Sequence, residues 1–264
     1  MFRWFEHGRV YRPTKEWEAS GAEVGRPWED FYFDATDGVR LNGWFFSAVA
    51  DSPRSQKVLL VCHGNGGNVS HRVELCRVLL RTGMNVMVFD YRGYGRSHGR
   101  PDEEGTYRDT QAAHRWLQQR GFEAPNIITY GESLGGGIAS ELALREVIGG
   151  LVLQCTFTSI PDLGREFYPW LPVRWLSTIK YDTLSKLSRV KAPVLVMHSR
   201  NDRMIRFHHA ERNFAAANEP KLFWETNGDH NYSLSADHER CWEGLEKFLE
   251  MLGEAPGRAT AVVK

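Results

Sequence analysis

Short apolar runs with little polar alternation recur along the chain at residues 57–62, 85–89, 126–130, 150–155, 193–198 and 221–225. Five or six consecutive residues rich in Val, Ile, Leu and Phe, without a period of two, suit strands covered on both faces. Between them lie segments of helical spacing at 69–81, 104–120, 134–146 and 208–217, with another at 238–252. Strand and helix in alternation predict an α/β fold. The sheet should be mostly parallel, of about eight strands, with helices on both faces and right-handed crossovers. Upstream, 30–36 and 39–47 read as strands joined at Asp37-Gly38, a pair that favours a tight hairpin turn. The sheet therefore begins with an antiparallel pair.

The same pattern divides the chain. Residues 1–28 are polar and aromatic without a period and read as an irregular leader. A single domain then occupies 29–252, and 253–264 reads as a frayed tail. One connection breaks the rhythm, because about 37 residues separate the strands at 150–155 and 193–198. This excursion, 157–190, is dense in aromatic residues and proline, and long connections in compact domains are often lids or binding loops. It predicts a small cap-like element whose Phe157, Trp170 and Trp175 wall an apolar pocket. The alternative is that these rings only pack the excursion onto the sheet.

Composition narrows the partners. With 33 basic and 33 acidic side chains among 264 residues, the net charge is zero, which argues against nucleic acid as a partner, since phosphate neutralisation needs a basic face. An apolar content of 42% with 12% aromatics excludes a disordered chain. No apolar run reaches the length of a membrane span, so no integral membrane association is expected. Met1-Phe2-Arg3-Trp4-Phe5-Glu6-His7 is interrupted by charge too early to form the apolar centre of a signal peptide. Cys62, Cys76, Cys155 and Cys241 are scattered without a C-x-x-C pair, so neither zinc nor redox chemistry is implied and a reducing, cytoplasmic setting is expected. His208 and His209 are adjacent and should diverge on a helix, a poor start for a metal site. No cofactor or metal is called for.

The sharpest local feature is Gly131-Glu132-Ser133-Leu134-Gly135, directly after a strand and opening a helix. A serine on so tight a turn is pushed into a strained backbone and its Oγ is exposed at a helix N-terminus. Glycines two before and two after are needed because side chains there would collide. Serine needs a base, itself oriented by a third group. His230, on the loop after the last strand run, faces the C-terminal edge of the sheet where Ser133 emerges. So does Asp202, on the loop after 193–198, and open parallel sheets collect ligand groups at that edge. Asp162 is the rival acid. The glycine-dense loop His63-Gly64-Asn65-Gly66-Gly67 lets backbone N–H groups approach a substrate oxygen, and the N–H groups of Asn65 and Leu134 are the candidate oxyanion donors. His63 and the charges Asp90, Arg92 and Arg96 read as braces of the loops beneath.

The chain order Ser133, Asp202, His230 is that of α/β-hydrolases. Over about residues 28–252 the sequence resembles an α/β-hydrolase-fold serine hydrolase. The resemblance rests on the elbow and glycine loop, on Asp90-Tyr91-Arg92-Gly93-Tyr94-Gly95-Arg96-Ser97, on Phe157-Thr158-Ser159-Ile160-Pro161-Asp162, and on Tyr168-Pro169-Trp170-Leu171-Pro172. It is similar to the α/β-hydrolase domain-containing subgroup that includes depalmitoylating thioesterases and bacterial relatives. The resemblance implies Ser133 as nucleophile, His230 as base and Asp202 as acid, with Asn65 and Leu134 donating to the oxyanion; the aromatic excursion, too short for a large closed cap, predicts a small ester or thioester with a short to medium acyl chain as substrate. Two departures stand out. Neither the membrane helix nor the cysteine cluster of many subgroup members is legible, and Asp229 replaces the usual glycine before the histidine. Amidase, acyltransferase or perhydrolase chemistry would use the same residues, and a binding module without chemistry would keep the fold.

Overall fold

The structure, a computed structural model, describes residues 2–230 and 237–253. It opens with helix α1 (Phe2–Val10), the two-residue strand β1 (Arg12–Pro13), and the hairpin β2 (Trp28–Asp34) and β3 (Arg40–Phe46). Then come β4 (Val58–Cys62), β5 (Gly66–Gly67), α2 (Val73–Leu80), β6 (Asn85–Asp90), α3 (Glu103–Gln119), β7 (Ile127–Glu132), α4 (Leu134–Arg145) and β8 (Gly150–Gln154). The excursion carries α5 (Ile160–Phe167), α6 (Val173–Leu176) and α7 (Thr183–Leu187). After it follow β9 (Val194–Ser199), α8 (His208–Ala216), β10 (Lys221–Thr226) and α9 (His238–Met251).

Eight strands form one sheet in the order β10-β9-β8-β7-β4-β6-β3-β2. All neighbours are parallel except β2 with β3 and β3 with β6. The alternation of runs and helices therefore produced the α/β layers it predicted, and Asp37-Gly38 turns the antiparallel pair. Side chains alternate across each strand, and here both faces are apolar. Val58, Leu60 and Cys62 of β4 pack with Ala113 of α3 and Ile138 of α4, while Leu59 and Val61 pack with Leu75 of α2 and Leu245 of α9. A fully buried side chain of this kind contributes about 1.5–3 kcal/mol, which explains why the central strands tolerate almost no polar residue. Arg54, fully buried ahead of β4, donates to Thr82 O and to both carboxylate oxygens of Glu246 on α9, at 2.7 and 3.1 Å.

Two expectations need correction. The leader is not irregular within the described residues. It forms α1, then β1 pairs in parallel with β5 and brings Arg12 opposite Gly66. α1 escapes detection because it has no apolar stripe; its buried residues are Glu6 and Val10. The Glu6 carboxylate is taken up by the excursion, accepting from the Ser177 hydroxyl and from the Thr178 N–H and hydroxyl at 3.0 and 2.8 Å. The second correction concerns 69–81, which starts as a 3-10 turn, Val69–Arg72, before α2. Asn68 caps that turn by accepting from Ser70 N at 2.9 Å. Residues 254–264 of the expected tail lie outside the described residues.

Candidate active site

β7 ends and α4 begins at Ser133, whose backbone sits at φ 52°, ψ −114°. A serine there is strained, and close packing on both sides holds it. A Cβ on Gly135 would lie 1.9 Å from Cys62 O, and one on Gly131 would lie 2.5 Å from Gly136 Cα. Only glycine lets α4 start so near the end of β4. The Ser133 N–H is fixed to Gln154 O of β8 at 2.9 Å, so the hydroxyl projects above the sheet's C-terminal edge.

Two loops at the same edge deliver the partners. Asp202, after β9, is buried, and its Oδ1 accepts the N–H groups of Met204 and Ile205 at 2.9 and 2.8 Å. Its other oxygen, Oδ2, accepts from His230 Nδ1 at 2.7 Å. With the ring proton on Nδ1, Nε2 keeps a lone pair, and that atom lies 3.0 Å from Ser133 Oγ. Asp162 is engaged elsewhere, by the Thr158 hydroxyl at 2.9 Å and by Arg212 at 3.5 Å. Asp229 turns away from the imidazole towards Arg203. Hydrogen bonds from the Arg203 and His230 N–H groups and then from the Arg203 guanidinium bring its carboxyl down to about 2.

The hydroxyl opens into a cavity of about 470 Å³. Asn65 and Leu134 line it beside Ser133, and Phe157, Leu163, Phe167, Tyr168 and Ile205 supply apolar wall. The Leu134 N–H is at the first turn of α4, where amides have no partner within the helix. Trp170 and Trp175 do not belong to this wall. They are 76% and 92% exposed. In the single turn of α6, Val173 faces inward on Gly164 of α5, so Trp175, two residues on, points about 200° round the helix into solvent.

Three features were not legible in advance. The leader contributes Arg9, Val10 and Arg12 to the cavity. Glu132, the variable residue of the elbow, accepts from Gly64 N at 3.3 Å, while Arg72 donates to Gly66 O at 2.7 Å and lies 3.6 Å from Glu132. Burial opposes ionisation of Glu132, but Arg72 and the Gly64 N–H outweigh it and hold its pKa below the ordinary carboxylate value. This pair grips both sides of the Asn65 loop. The elbow's second position, flanked by an arginine after the glycine loop, was the available signal.

The third feature corrects the reading that His208 and His209 diverge. Their rings stack at 4.5 Å, and both Nε2 atoms converge on Glu166 of α5, at 2.9 and 3.0 Å. α8 begins at His208, so no preceding turn directs its side chain. The Thr158 N–H donates to His209 Nδ1 at 3.1 Å, which places the proton of a neutral ring on Nε2, facing Glu166. Burial first of all lowers His209 to about 4. The cluster thus brings α5 and α8 together at Glu166.

Residues 57–202 match the family model described as alpha/beta hydrolase fold, more than half of the chain. The chain belongs to the alpha/beta hydrolase fold family. This hydrolase-fold chain is 37% identical over 252 residues to the Mycobacterium tuberculosis uncharacterized protein Rv2307c, covering 94% of this chain and 89% of that one. It is 28% identical over 272 residues to the Arabidopsis thaliana alpha/beta hydrolase domain-containing protein WAV2, covering 93% and 88%. Among solved structures it superposes on the Pyrococcus furiosus esterase Pf2001 with a TM-score of 0.75, 19% identity, and coverage of 93% and 98%. That likeness is one of fold. Among the described residues no helix is long and apolar enough to cross a membrane.

Proposed function

We propose that this chain is a serine hydrolase that cleaves carboxylic esters or thioesters of short to medium acyl chains through an acyl-enzyme on Ser133. One observation carries the reading: the unbroken hydrogen-bond series Ser133 Oγ, His230, Asp202 at 3.0 and 2.7 Å, anchored on three different strand ends. Ser133 Oγ attacks the acyl carbon while its proton passes to His230 Nε2, and Asp202 stabilises the imidazolium that forms. The carbonyl oxygen, now anionic, receives the Asn65 and Leu134 N–H groups, each worth about 3 kcal/mol in such a site. His230 returns the proton to the departing alkoxide or thiolate. Water then repeats the sequence on the acyl-enzyme, releasing the carboxylic acid and restoring the serine.

The acyl chain lies along Phe157, Leu163 and Phe167. A cavity of about 470 Å³ is in the lower half of the range for small-molecule sites, which favours short to medium chains. The four cysteines are free and buried, which suits a cytoplasmic protein. A panel of p-nitrophenyl esters and acyl thioesters of increasing length, run with the parent and with Ser133→Ala, tests the reading. Turnover should peak at short to medium chains and fall by about four to six orders of magnitude in the variant. Intact-mass addition of a fluorophosphonate to the parent alone should accompany it. Failure of the parent to label or turn over any substrate would assign the fold to binding without chemistry. Leu163→Trp should shift the optimum to shorter chains.

A further inference from the structure

The wall of the cavity above Ser133 is of mixed origin. Phe157, Leu163 and Phe167, along which the acyl chain lies, make it apolar on the excursion side, and Met204 and Ile205 extend that part. Another part comes from the leader and the glycine loop, which are joined there: Arg12 pairs with Gly66, and its N–H donates to Asn65 O at 3.0 Å. Among the described residues, Arg9 and Arg12 are the only charged side chains of the wall, and both are exposed. Neither guanidinium has an ion-pair partner among the described residues. Arg9 rests over the Phe5 ring at 5.2 Å, and that ring meets Tyr168 of the cavity wall at 5.7 Å.

Among the described residues no carboxylate belongs to this wall. Those on the neighbouring elements have other partners. Glu6 is held by Ser177 and Thr178, Asp102 by the Gly105 N–H, and Glu103 by the Lys180 and Tyr181 N–H groups. Glu132 lies against Arg72, and Glu166 against His208 and His209. A solitary exposed arginine is ordinary surface. Two without a counterion on a cleft that holds a nucleophile are different, because low-dielectric walls focus their field into the cleft. A guanidinium also offers its N–H donors in a fork that fits a carboxylate or a phosphate. The carbonyl of an ester on Ser133 has two arms. The acyl arm takes the apolar wall, and Arg12 stands beside Asn65, so the alcohol or thiol arm is the one left to meet the arginines.

We propose that Arg9 and Arg12 form an anion subsite, and that the ester or thioester cleaved here carries a carboxylate or phosphate on its alcohol or thiol arm. This rests on the hydrolase reading of Ser133, so binding is measured apart from turnover. The Ser133→Ala chain is titrated by ligand-observed NMR with S-butyryl mercaptopropionate, its neutral counterpart S-butyryl mercaptopropanamide, and S-butyryl mercaptoethylphosphonate. At least one anionic thioester should bind at least about fivefold tighter than the amide, the upper end for one exposed charge pair. The tighter of the two tells carboxylate from phosphate. Raised salt should shrink the difference. The further double substitution Arg9→Gln with Arg12→Gln alters only exposed side chains, so it should keep the circular dichroism while the preference drops below about twofold. With Ser133 intact, the ratio of kcat/KM for anionic over neutral thioester should fall in step. Equal affinity for charged and neutral thioesters, none measurable included, or a preference that survives the double substitution would overturn the inference. Tighter binding of S-succinyl mercaptopropanamide than of both anionic butyryl thioesters would put the charge on the acyl arm and overturn it as well. A parent that shows the binding preference but turns over nothing strikes the hydrolase reading and leaves the anion subsite standing. A parent that turns over charged and neutral thioesters alike strikes the anion subsite and leaves the hydrolase reading standing.

Discussion

Asp202→Asn is the most informative single substitution because the structure separates its effect on folding from its effect on chemistry. Asp202 makes two kinds of bond. Oδ1 accepts two backbone N–H groups, from Met204 and Ile205, and Oδ2 accepts from His230 Nδ1. An asparagine keeps the first kind through its amide oxygen, so the loop after β9 should hold and the melting temperature should change little. It inverts the second. The amide NH₂ can only donate, so His230 must present a lone pair at Nδ1 and carry its proton on Nε2, pointed at Ser133. A base that already holds a proton on the working atom cannot accept one. In the Ser-His-Asp system described for chymotrypsin-like proteases the same change costs about 10⁴ in turnover, or roughly 5.5 kcal/mol of barrier. Asp162→Asn, by contrast, disturbs the contacts with Thr158 and Arg212 and the charge facing Arg174 and His209, none of which touches His230, and should leave turnover within about threefold. The assay is p-nitrophenyl butyrate hydrolysis by the two variants at matched concentration, with the fluorophosphonate labelling rate as a second readout. Equal losses, or a larger loss at Asp162, would refute the tautomer argument and transfer the orienting role to α5.

Gly135→Ala puts a Cβ 1.9 Å from Cys62 O and 2.8 Å from His63 O. Both are backbone atoms that cannot rotate away, so the variant should lose about 3 kcal/mol and melt roughly 6–12 °C lower; an unchanged melt would contradict the packing at the elbow. Asp229, depressed to about 2, makes its full contribution above the ordinary aspartate range and loses it only as pH falls through about 2. Between pH 5 and 9 it stays ionised and paired with Arg203, so Asp229→Asn should move the acid limb of kcat/KM by less than about 0.5 pH unit. A larger displacement would mean that its charge acts on the imidazole. Prolonged dialysis against EDTA should leave ester turnover intact, since every group in the proposed reaction belongs to the chain; loss restored by a divalent cation would overturn the mechanism.

The sheet and the site were legible for the same reason. Strands buried on both faces are written as unbroken apolar runs, and parallel order sends the loops after β7, β9 and β10 to one edge, so Ser133, Asp202 and His230 could be gathered before any distance was known. The leader was not legible, because pattern reading assigns the inside to apolar residues. In α1 a carboxylate goes inside, since Ser177 and Thr178 supply the hydrogen bonds that offset its burial, while Trp4 goes outside. The same rule misplaced Trp170 and Trp175. Their orientation is set by a one-turn helix whose single inward position Val173 takes. Glu132 and Arg72 fall in a third class, where sequence shows charges but only the folded loop shows that they close on Gly64 and Gly66.

The pairing of Arg54 with Glu246 spans 192 positions, and this separation sets a clock on the ribosome. At about 5–20 residues per second, the guanidinium is made roughly 10–40 s before the carboxylate that it must meet. A buried charge without its counterion is costly by about 3–5 kcal/mol, so the segment ahead of β4 has to stay hydrated through that interval. Native burial of Arg54 thus waits for α9, and a nascent chain stopped short of Glu246 keeps one end of its central sheet unsealed.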